Sequence, residues 1–241
     1  RKIPIVESLE IALEKKSTVL ILGIAPSGGK IPKEWNRIIE KALKNGLSIV
    51  NGLHELLFPR WKDLIKKNKN QWIWDVRMPT FVPDIATGKA SKLKNKRILF
   101  IGTDMAVGKM TAALEIYSFL NKQSKNVGFV ATGQIGITLT GNGIPLDAFK
   151  VDHACGAVEA AVLENSKKEI VLIEGQGSLL HPGSTATLPL MRGSCPTHLI
   201  LCHRANKKTL RSPKNIKIPD LKEFIYLNEL LSTVSGTFPK A

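Results

Sequence analysis

The chain has 241 residues, of which 43% are hydrophobic and 23% are charged, so it can bury one large core or two smaller ones. No apolar run approaches the roughly 18 residues of a membrane-spanning helix, and the first residues do not resemble a secretory signal. Three cysteines without a C-x-x-C pair fit a reducing compartment and argue against a zinc site. We therefore expect a cytoplasmic protein without a membrane partner.

The net charge of +15 is high enough to suit a nucleic-acid-binding protein. Residues 101–200 hold most of the glycine-rich motifs, yet they carry seven Lys or Arg against eight Asp or Glu. The positive excess therefore lies in the flanking segments and favours a solvated basic surface. We expect no specific nucleic-acid partner, and a nucleotide-sensing or nucleic-acid-binding module stays open as an alternative function.

The N-terminal third alternates apolar runs with helical patterns. The run "STVLILGIA" (Ser17–Ala25) is typical of a buried strand, the glycine turn "PSGGK" follows it, and residues 32–45 have apolar residues at helical spacing. The short runs "LSIVNG" and "QWIWDVR" are the next strands. This alternation predicts a parallel sheet with crossover helices over residues 1–80, followed by a linker at 81–96.

A second α/β unit is predicted over residues 97–241. Its strands are Arg97–Thr103, Asn126–Thr132, Glu169–Ser178 and Thr197–His203. We expect one helix from the loop after the first strand to about Gln123 and another over Ala154–Glu164. The stretch "GQIGITLTGNGIP" between them is predicted to be a glycine-rich loop.

The segment "FIGTDMAVGKMTAALE" (Phe100–Glu115) has the features of a phosphate-binding loop. A strand leads into it, Gly102 and Gly108 let the backbone approach an anion, and a helix with free N–H groups follows. Lys109 adds a positive charge beside the loop. Strand, glycines, lysine and helix together predict phosphate binding.

The loop differs from the common motif G-x-x-x-x-G-K-[ST] in two respects. Five residues separate its glycines, and Met110 stands where a magnesium-binding hydroxyl is expected. Thr111 is the nearest hydroxyl and points about 100° further round the helix. If magnesium is used, its candidate ligands are Thr111 and Glu174.

In a second motif, "VLIEGQGSLLHP", an aliphatic strand is followed directly by the carboxylate of Glu174. Glu174 is expected at the C-terminal edge of the sheet, where open α/β sheets bind ligands, or else as a turn carboxylate that accepts a backbone N–H. Gln176, Ser178 and His181 crowd the same turn. His181 is a candidate general base, with a structural hydrogen bond as the alternative.

A third motif spans Thr132–Glu159, where four glycines allow close approach of the backbone to a ligand. Gln134 and Asp147 are candidate substrate contacts within it. Asp152 either contacts a ligand or caps the helix predicted after it.

These motifs together resemble a family described as a domain of unknown function, with an N-terminal Rossmann-like domain and a C-terminal P-loop domain. The resemblance rests on "GIAPSGGKIPKEW", "GLHELL", "GTDMAVGKMTAALE", "FVATGQIGI", "IEGQGSLLHPGS" and "GSCPTHLILCH", and it covers nearly the whole chain. The loop is also similar to the variant P-loop of dethiobiotin synthetase. Because relatives of this family are longer at both ends, we expect the Rossmann-like domain to be incomplete here.

The resemblance implies an N-acetyltransferase that acts on an acidic amino acid such as D-glutamate, because the family includes D-glutamate N-acetyltransferases. It implies acetyl-CoA as the donor, Lys109, Glu174 and His181 as catalytic residues, and a homo-oligomer that binds a small-molecule substrate. The residues expected to bind the cofactor are Gly102, Thr103, Asp104, Val107, Gly108, Lys109, Met110 and Thr111. The residues expected to bind the substrate are Gln134, Asp147, Gln176, Ser178 and Arg192. Arg204 is a further candidate cation for the acidic substrate. The alternative is an ATP-dependent ligase or kinase-like enzyme that uses ATP and Mg²⁺.

Overall fold

The computed structural model describes residues 3–24, 26, 29–65, 70–234 and 239, so part of the predicted "PSGGK" turn lies outside the described residues. The chain divides into two compact units, Arg1–Met78 and Pro79–Ala241. Residues 81–96, which the sequence assigned to a linker, lie within the second unit. A short 3-10 helix, Lys89–Lys92, forms there, and Ala90 is fully buried in the core of that unit.

The first unit is built around a three-stranded parallel sheet. Its elements are α1 (Leu9–Glu14), β1 (Val19–Leu22), α2 (Trp35–Lys44), β2 (Ser48–Asn51), α3 (Phe58–Ile65) and β3 (Ile73–Asp75). The strands pair in the order β1-β2-β3. Ile39 and Leu43 of α2 pack with Ile49 of β2 in one apolar cluster, which confirms the predicted helix and the presence of the strands. The expectation that the first strand is buried was wrong, because β1 lies at the edge of this sheet and Val19 and Ile21 are 38% and 59% exposed.

The second unit contains a four-stranded parallel sheet in the order β5-β6-β4-β7. Its elements are β4 (Lys96–Gly102), α4 (Lys109–Lys122), β5 (Val127–Val130), α5 (Gln134–Thr140), α6 (Val151–Glu164), β6 (Ile170–Ile173), α7 (Thr187–Ser194), β7 (His198–Cys202) and α8 (Leu221–Leu231). A second 3-10 helix spans Leu146–Ala148. The α/β fold with parallel sheets is therefore confirmed.

Alternate residues of the central strand β4 pack on opposite faces of this sheet. Leu99 and Ile101 lie in the cluster that contains Ala157 of α6 and Leu190 of α7, whereas Phe100 packs with Ala113 of α4. Helices therefore cover both faces, and the C-terminal ends of β4, β5 and β6 meet at one edge. Ligands bind at this edge in open α/β sheets.

Two local predictions for the second unit were wrong. Residues predicted as a glycine-rich loop contain the helix α5, because Ile137 is buried against the core and Gly141, with a left-handed φ of 75°, ends the helix. Helix α6 begins at Val151 rather than near Ala154, so Asp152 lies in its first turn and does not cap it. In α5, the burial of Ile137 outweighs the low helix propensity of the segment.

In the part of the chain that the structure describes, no helix combines the length and the apolar composition that crossing a bilayer requires.

Candidate active site

The loop between β4 and α4 ends at an open helix terminus. Gly108 precedes α4 with φ of 99°, a conformation that strains residues with a side chain. Among the described residues, no side chain caps α4. The first N–H groups of this 14-residue helix therefore face the loop without side-chain partners, together with the positive end of the helix dipole.

A cavity of about 450 Å³ lies in front of this terminus and is called the central cavity below. Segments that follow three different strands line it: Met105, Ala106, Gly108, Lys109, Met110 and Thr111 after β4, Gly133, Gln134 and Ile135 after β5, and Glu174, Gly175, Gln176 and Gly177 after β6. The structure thus brings the predicted loop lysine, Glu174 and the two glutamines to one cavity. Such a convergence of polar groups at a sheet edge is typical of a ligand site.

Lys109 is buried at the floor of this cavity. Its ammonium group donates to the backbone carbonyl of Asp104 at 2.9 Å, and only 6% of the residue is exposed. Burial lowers the pKa of Lys109, and the carboxylates of Asp104 and Glu174 oppose this shift. An anion in the cavity would stabilise the charged form in the same way.

Glu174 is the buried carboxylate of the site, with 2% of the residue exposed. Its Oε2 accepts hydrogen bonds from the N–H groups of Thr132 (2.9 Å) and Gly133 (3.2 Å), and its Oε1 accepts one from the Gln176 amide (3.2 Å). Burial raises the pKa of the Glu174 carboxyl, although the two backbone hydrogen bonds and Lys109 act in the opposite direction. A carboxylate whose pKa is raised accepts a proton more readily than an exposed glutamate does.

The backbone after β5 lies directly against this carboxylate. A β-carbon at Gly136 would overlap Glu174 Oε2, so a residue with a side chain cannot occupy this position of α5 without displacing the carboxylate. Thr132 makes a second hydrogen bond to Glu174, because its hydroxyl donates to the backbone carbonyl of Glu174 at 2.8 Å. Sequence reasoning did not identify Thr132 as a partner of Glu174; its position at the end of the neighbouring strand was the available signal.

A second cavity of about 400 Å³, called the side cavity below, shares residues with the central one. Gln134 and Gln176 line both cavities, whereas Asp147 lines the side cavity but not the central one. The predicted substrate contacts Gln134, Asp147 and Gln176 therefore lie around one continuous region next to Glu174.

Three residues of the predicted loop lie beneath or beside the central cavity. Thr103 is fully buried, and its hydroxyl hydrogen-bonds to Nδ1 of His203 at 3.0 Å. The Asp104 carboxylate accepts hydrogen bonds from the N–H groups of Met105 and Arg211, both at 2.7 Å. Thr103 and Asp104, with Val107, line a third cavity on the β7 side of the loop.

Other predicted residues make local contacts. His181 Nε2 donates to the Ser212 carbonyl at 2.6 Å, and Nδ1 accepts from the Gly183 N–H at 3.1 Å, so both ring nitrogens are engaged. The Ser178 hydroxyl accepts from the Leu180 N–H at 3.3 Å. Arg192 is exposed on α7, and neither it nor His181 is among the described residues that line the central and side cavities.

The predicted metal ligands, Thr111 and Glu174, both line the central cavity. Within the described ranges, no three His, Cys, Asp or Glu side chains come together in a group that could hold a metal ion.

The open terminus of α4, the lysine at its start and the parallel sheet define the second unit as a P-loop domain that follows a Rossmann-like domain. The chain belongs to the DUF1611 family of proteins. The family models described as "domain of unknown function (DUF1611_N) Rossmann-like domain" and "domain of unknown function (DUF1611_C) P-loop domain" match residues 1–79 and 84–239. The resemblance seen in the sequence is thereby confirmed.

Two curated relatives carry the name "D-glutamate N-acetyltransferase". One, from Pseudoalteromonas sp., is 39% identical over 211 residues, which cover 86% of this chain and 63% of the relative. The other, from Tritonibacter scottomollicae, is 38% identical over 219 residues, which cover 90% and 65%. The chain therefore spans slightly less than two thirds of the length of either relative.

A solved structure has the same fold. The crystal structure of a DUF1611 family protein from Anabaena variabilis is 47% identical and superposes with a TM-score of 0.93 over 99% of this chain and 70% of that one.

Proposed function

We propose that this chain transfers the acetyl group of acetyl-CoA to the amine of an acidic amino acid such as D-glutamate. The names of the two curated relatives support the acetyl transfer and the acceptor. The observation that carries the proposal is the central cavity itself, where an open helix terminus and a buried carboxylate lie together. Acyl transfer from a phosphate-bearing donor to an amine needs both groups.

The donor would be held by its pyrophosphate. The N–H groups at the start of α4 and the Lys109 ammonium offer contacts that suit phosphate oxygens, because the helix terminus and the lysine both carry positive charge. Acetyl-CoA brings a thioester, whose carbonyl carbon is already activated toward an amine. No cleavage of the phosphates is required, so the loop serves for binding alone.

Glu174 would serve as the general base. In the proposed step, the neutral amine nitrogen bonds to the thioester carbonyl carbon and the C–S bond breaks. The proton lost from nitrogen passes to the Glu174 carboxylate and then to the CoA thiolate, which leaves as the thiol. Gln134 and Gln176, which line both cavities, offer amide groups to the carboxylates of the acceptor.

His181 does not serve as the base in this proposal, although the sequence suggested that role. Both of its ring nitrogens are engaged by backbone groups, so no lone pair is left for a substrate proton.

The proposal is tested by following free thiol release from acetyl-CoA with a panel of D- and L-acidic amino acids. We expect turnover with D-glutamate or a closely related acidic amino acid, and none with neutral amino acids of the same size. Consumption of ATP with a carboxylate or amine substrate, without thiol release from acetyl-CoA, would contradict the proposal.

An ATP-dependent ligase or kinase-like enzyme is the second candidate. One observation favours it, because Thr111 and Glu174 line the same cavity and both residue types carry oxygen atoms of the kind that Mg²⁺ prefers as ligands.

Magnesium distinguishes the two candidates. Since Met110 supplies no hydroxyl at the usual position, we expect Mg²⁺ to change the affinity for CoA by less than about twofold, with backbone N–H groups and Lys109 holding the phosphates. Calorimetric titrations of CoA and of ATP, each with and without Mg²⁺, measure this. Strict dependence of ATP binding on Mg²⁺, combined with no binding of CoA, would favour the ligase.

A further inference from the structure

The third cavity, called the basic cavity below, has a volume of about 330 Å³ and lies on the β7 side of the phosphate-binding loop. Thr103, Asp104 and Val107 of that loop form one wall. The opposite wall carries four cationic side chains: Arg204, Lys207, Arg211 and Lys214. Asp104 is the only carboxylate among the described residues that line it.

The cations belong to an unusually basic segment. Residues 204–218 contain six Lys or Arg and no Asp or Glu. All four cations of the basic cavity are exposed, and none of them forms an ion pair within the described part of the chain. The Asp104 carboxylate is one negative charge against these four positive ones, so the cavity keeps a positive excess that favours an anion.

The basic segment is held in place by backbone contacts rather than by its charges. The Asp104 carboxylate accepts a hydrogen bond from the Arg211 N–H, and His181 donates to the Ser212 carbonyl. Leu210 is buried, and its N–H donates to the Ile216 carbonyl at 3.0 Å. Asp104 thus ties the segment to the phosphate-binding loop, and His181 acts as a positioning residue on its other side.

We propose that the basic cavity binds a second anionic group of the ligand whose pyrophosphate lies on the loop, namely the 3′-phosphate of CoA. The inference rests on the proposed function. It follows from the charge of the cavity and from its position, because residues 103, 104 and 107 of the loop line the basic cavity, whereas residues 105, 106, 108 and 109 of the same loop line the central cavity. The nucleotide end of CoA carries a phosphate close to its pyrophosphate, whereas the acyl arm must reach Glu174 on the other side of the loop.

The test compares CoA with 3′-dephospho-CoA by calorimetry. The wild-type protein is expected to bind CoA about tenfold more tightly or better, and this advantage should shrink as salt is added. In the double variant Lys207→Ala/Arg211→Ala the preference for CoA should shrink several-fold, because two of the four cations of the basic cavity are lost and only CoA carries the 3′-phosphate. The Arg211 contact with Asp104 is made by the backbone, so the variant retains it.

A matched control removes two exposed lysines, Lys122 at the C-terminal end of α4 and Lys125 just after the helix. Lys122→Ala/Lys125→Ala changes the net charge equally, at a distance of about 20 Å along the helix from the loop. It should preserve the preference for CoA over 3′-dephospho-CoA.

The outcomes separate this inference from the function on which it rests. Equal affinity of the wild-type protein for both ligands, or a preference that is undiminished in Lys207→Ala/Arg211→Ala, would overturn the 3′-phosphate site while leaving acetyl transfer intact. A raised KM for the acidic amino acid in that variant, with an unchanged preference between the two ligands, would assign the cations to the acceptor instead. Failure of both ligands to bind the wild-type protein would overturn the proposed function and this inference together.

Discussion

Replacing Glu174 by glutamine is expected to lower kcat for acetyl transfer by about 10²- to 10⁴-fold and to leave the affinity for CoA nearly unchanged. The variant removes the proton acceptor of the proposed reaction but keeps its shape. In the proposed binding mode CoA contacts the loop and Lys109, which the substitution does not alter. Thiol release measures kcat, and calorimetry measures the affinity.

The hydrogen bonds around Glu174 allow this substitution. The carbonyl oxygen of a glutamine at position 174 can still accept from the N–H groups of Thr132 and Gly133. Its amide nitrogen can donate to the side-chain oxygen of Gln176 once the Gln176 amide group rotates by about 180°. The matched control is Glu169→Gln, an exposed carboxylate at the opposite end of strand β6. A Glu174→Gln enzyme with the kcat of the control would show that Glu174 is not the base.

The pH dependence gives a second readout of the same role. Burial raises the pKa of the Glu174 carboxyl above the usual 4.5. In a plot of kcat against pH, the acidic limb should therefore lie at higher pH than it would for an exposed glutamate acting as the base. Turnover requires the ionised form, so it should fall as the pH decreases through the raised pKa. The residual activity of Glu174→Gln should lack this limb.

Much of the fold could be predicted from the sequence because the parallel strands are continuous apolar runs. Strand β4 is one such run, and its alternation of Leu99 and Ile101 against Phe100 fits a sheet covered on both faces. Helix α5 could not be predicted in this way. Its sequence "QIGITLT" contains β-branched residues and a glycine, and the helix forms because Ile137 and Gly136 fit against the core and Glu174.

The candidate site was likewise predictable in part. Contacts within one segment follow from the sequence, so Lys109 and Glu174 were identified as residues that follow strands. Contacts between distant segments do not, which is why the sequence left both a general base and a structural hydrogen bond open for His181. Its engagement by the Ser212 carbonyl depends on how residues 204–218 fold back, and nothing in the local sequence around His181 encodes this.

Replacing Lys109 by methionine is expected to weaken CoA binding by about ten- to a hundredfold, since a charge-assisted contact contributes about 1.5–3 kcal/mol. The variant removes the positive charge at the floor of the central cavity. The aliphatic stem of Lys109 packs beside Gly102, since its Cδ lies 3.1 Å from where a β-carbon added at Gly102 would stand. Methionine retains most of this stem, so the loop should keep its fold. Calorimetric titration with CoA provides the measurement.

The control for this variant is Lys122→Met, at the exposed C-terminal end of the same helix. It removes the same charge from the chain and should leave CoA affinity unchanged, because α4 places it about 20 Å from the loop. Pantetheine, which lacks the pyrophosphate, provides the complementary ligand: its affinity should be the same in the wild-type protein and in Lys109→Met. If Lys109→Met loses affinity for both ligands equally, the lysine stabilises the loop through its Asp104 contact and does not hold phosphate.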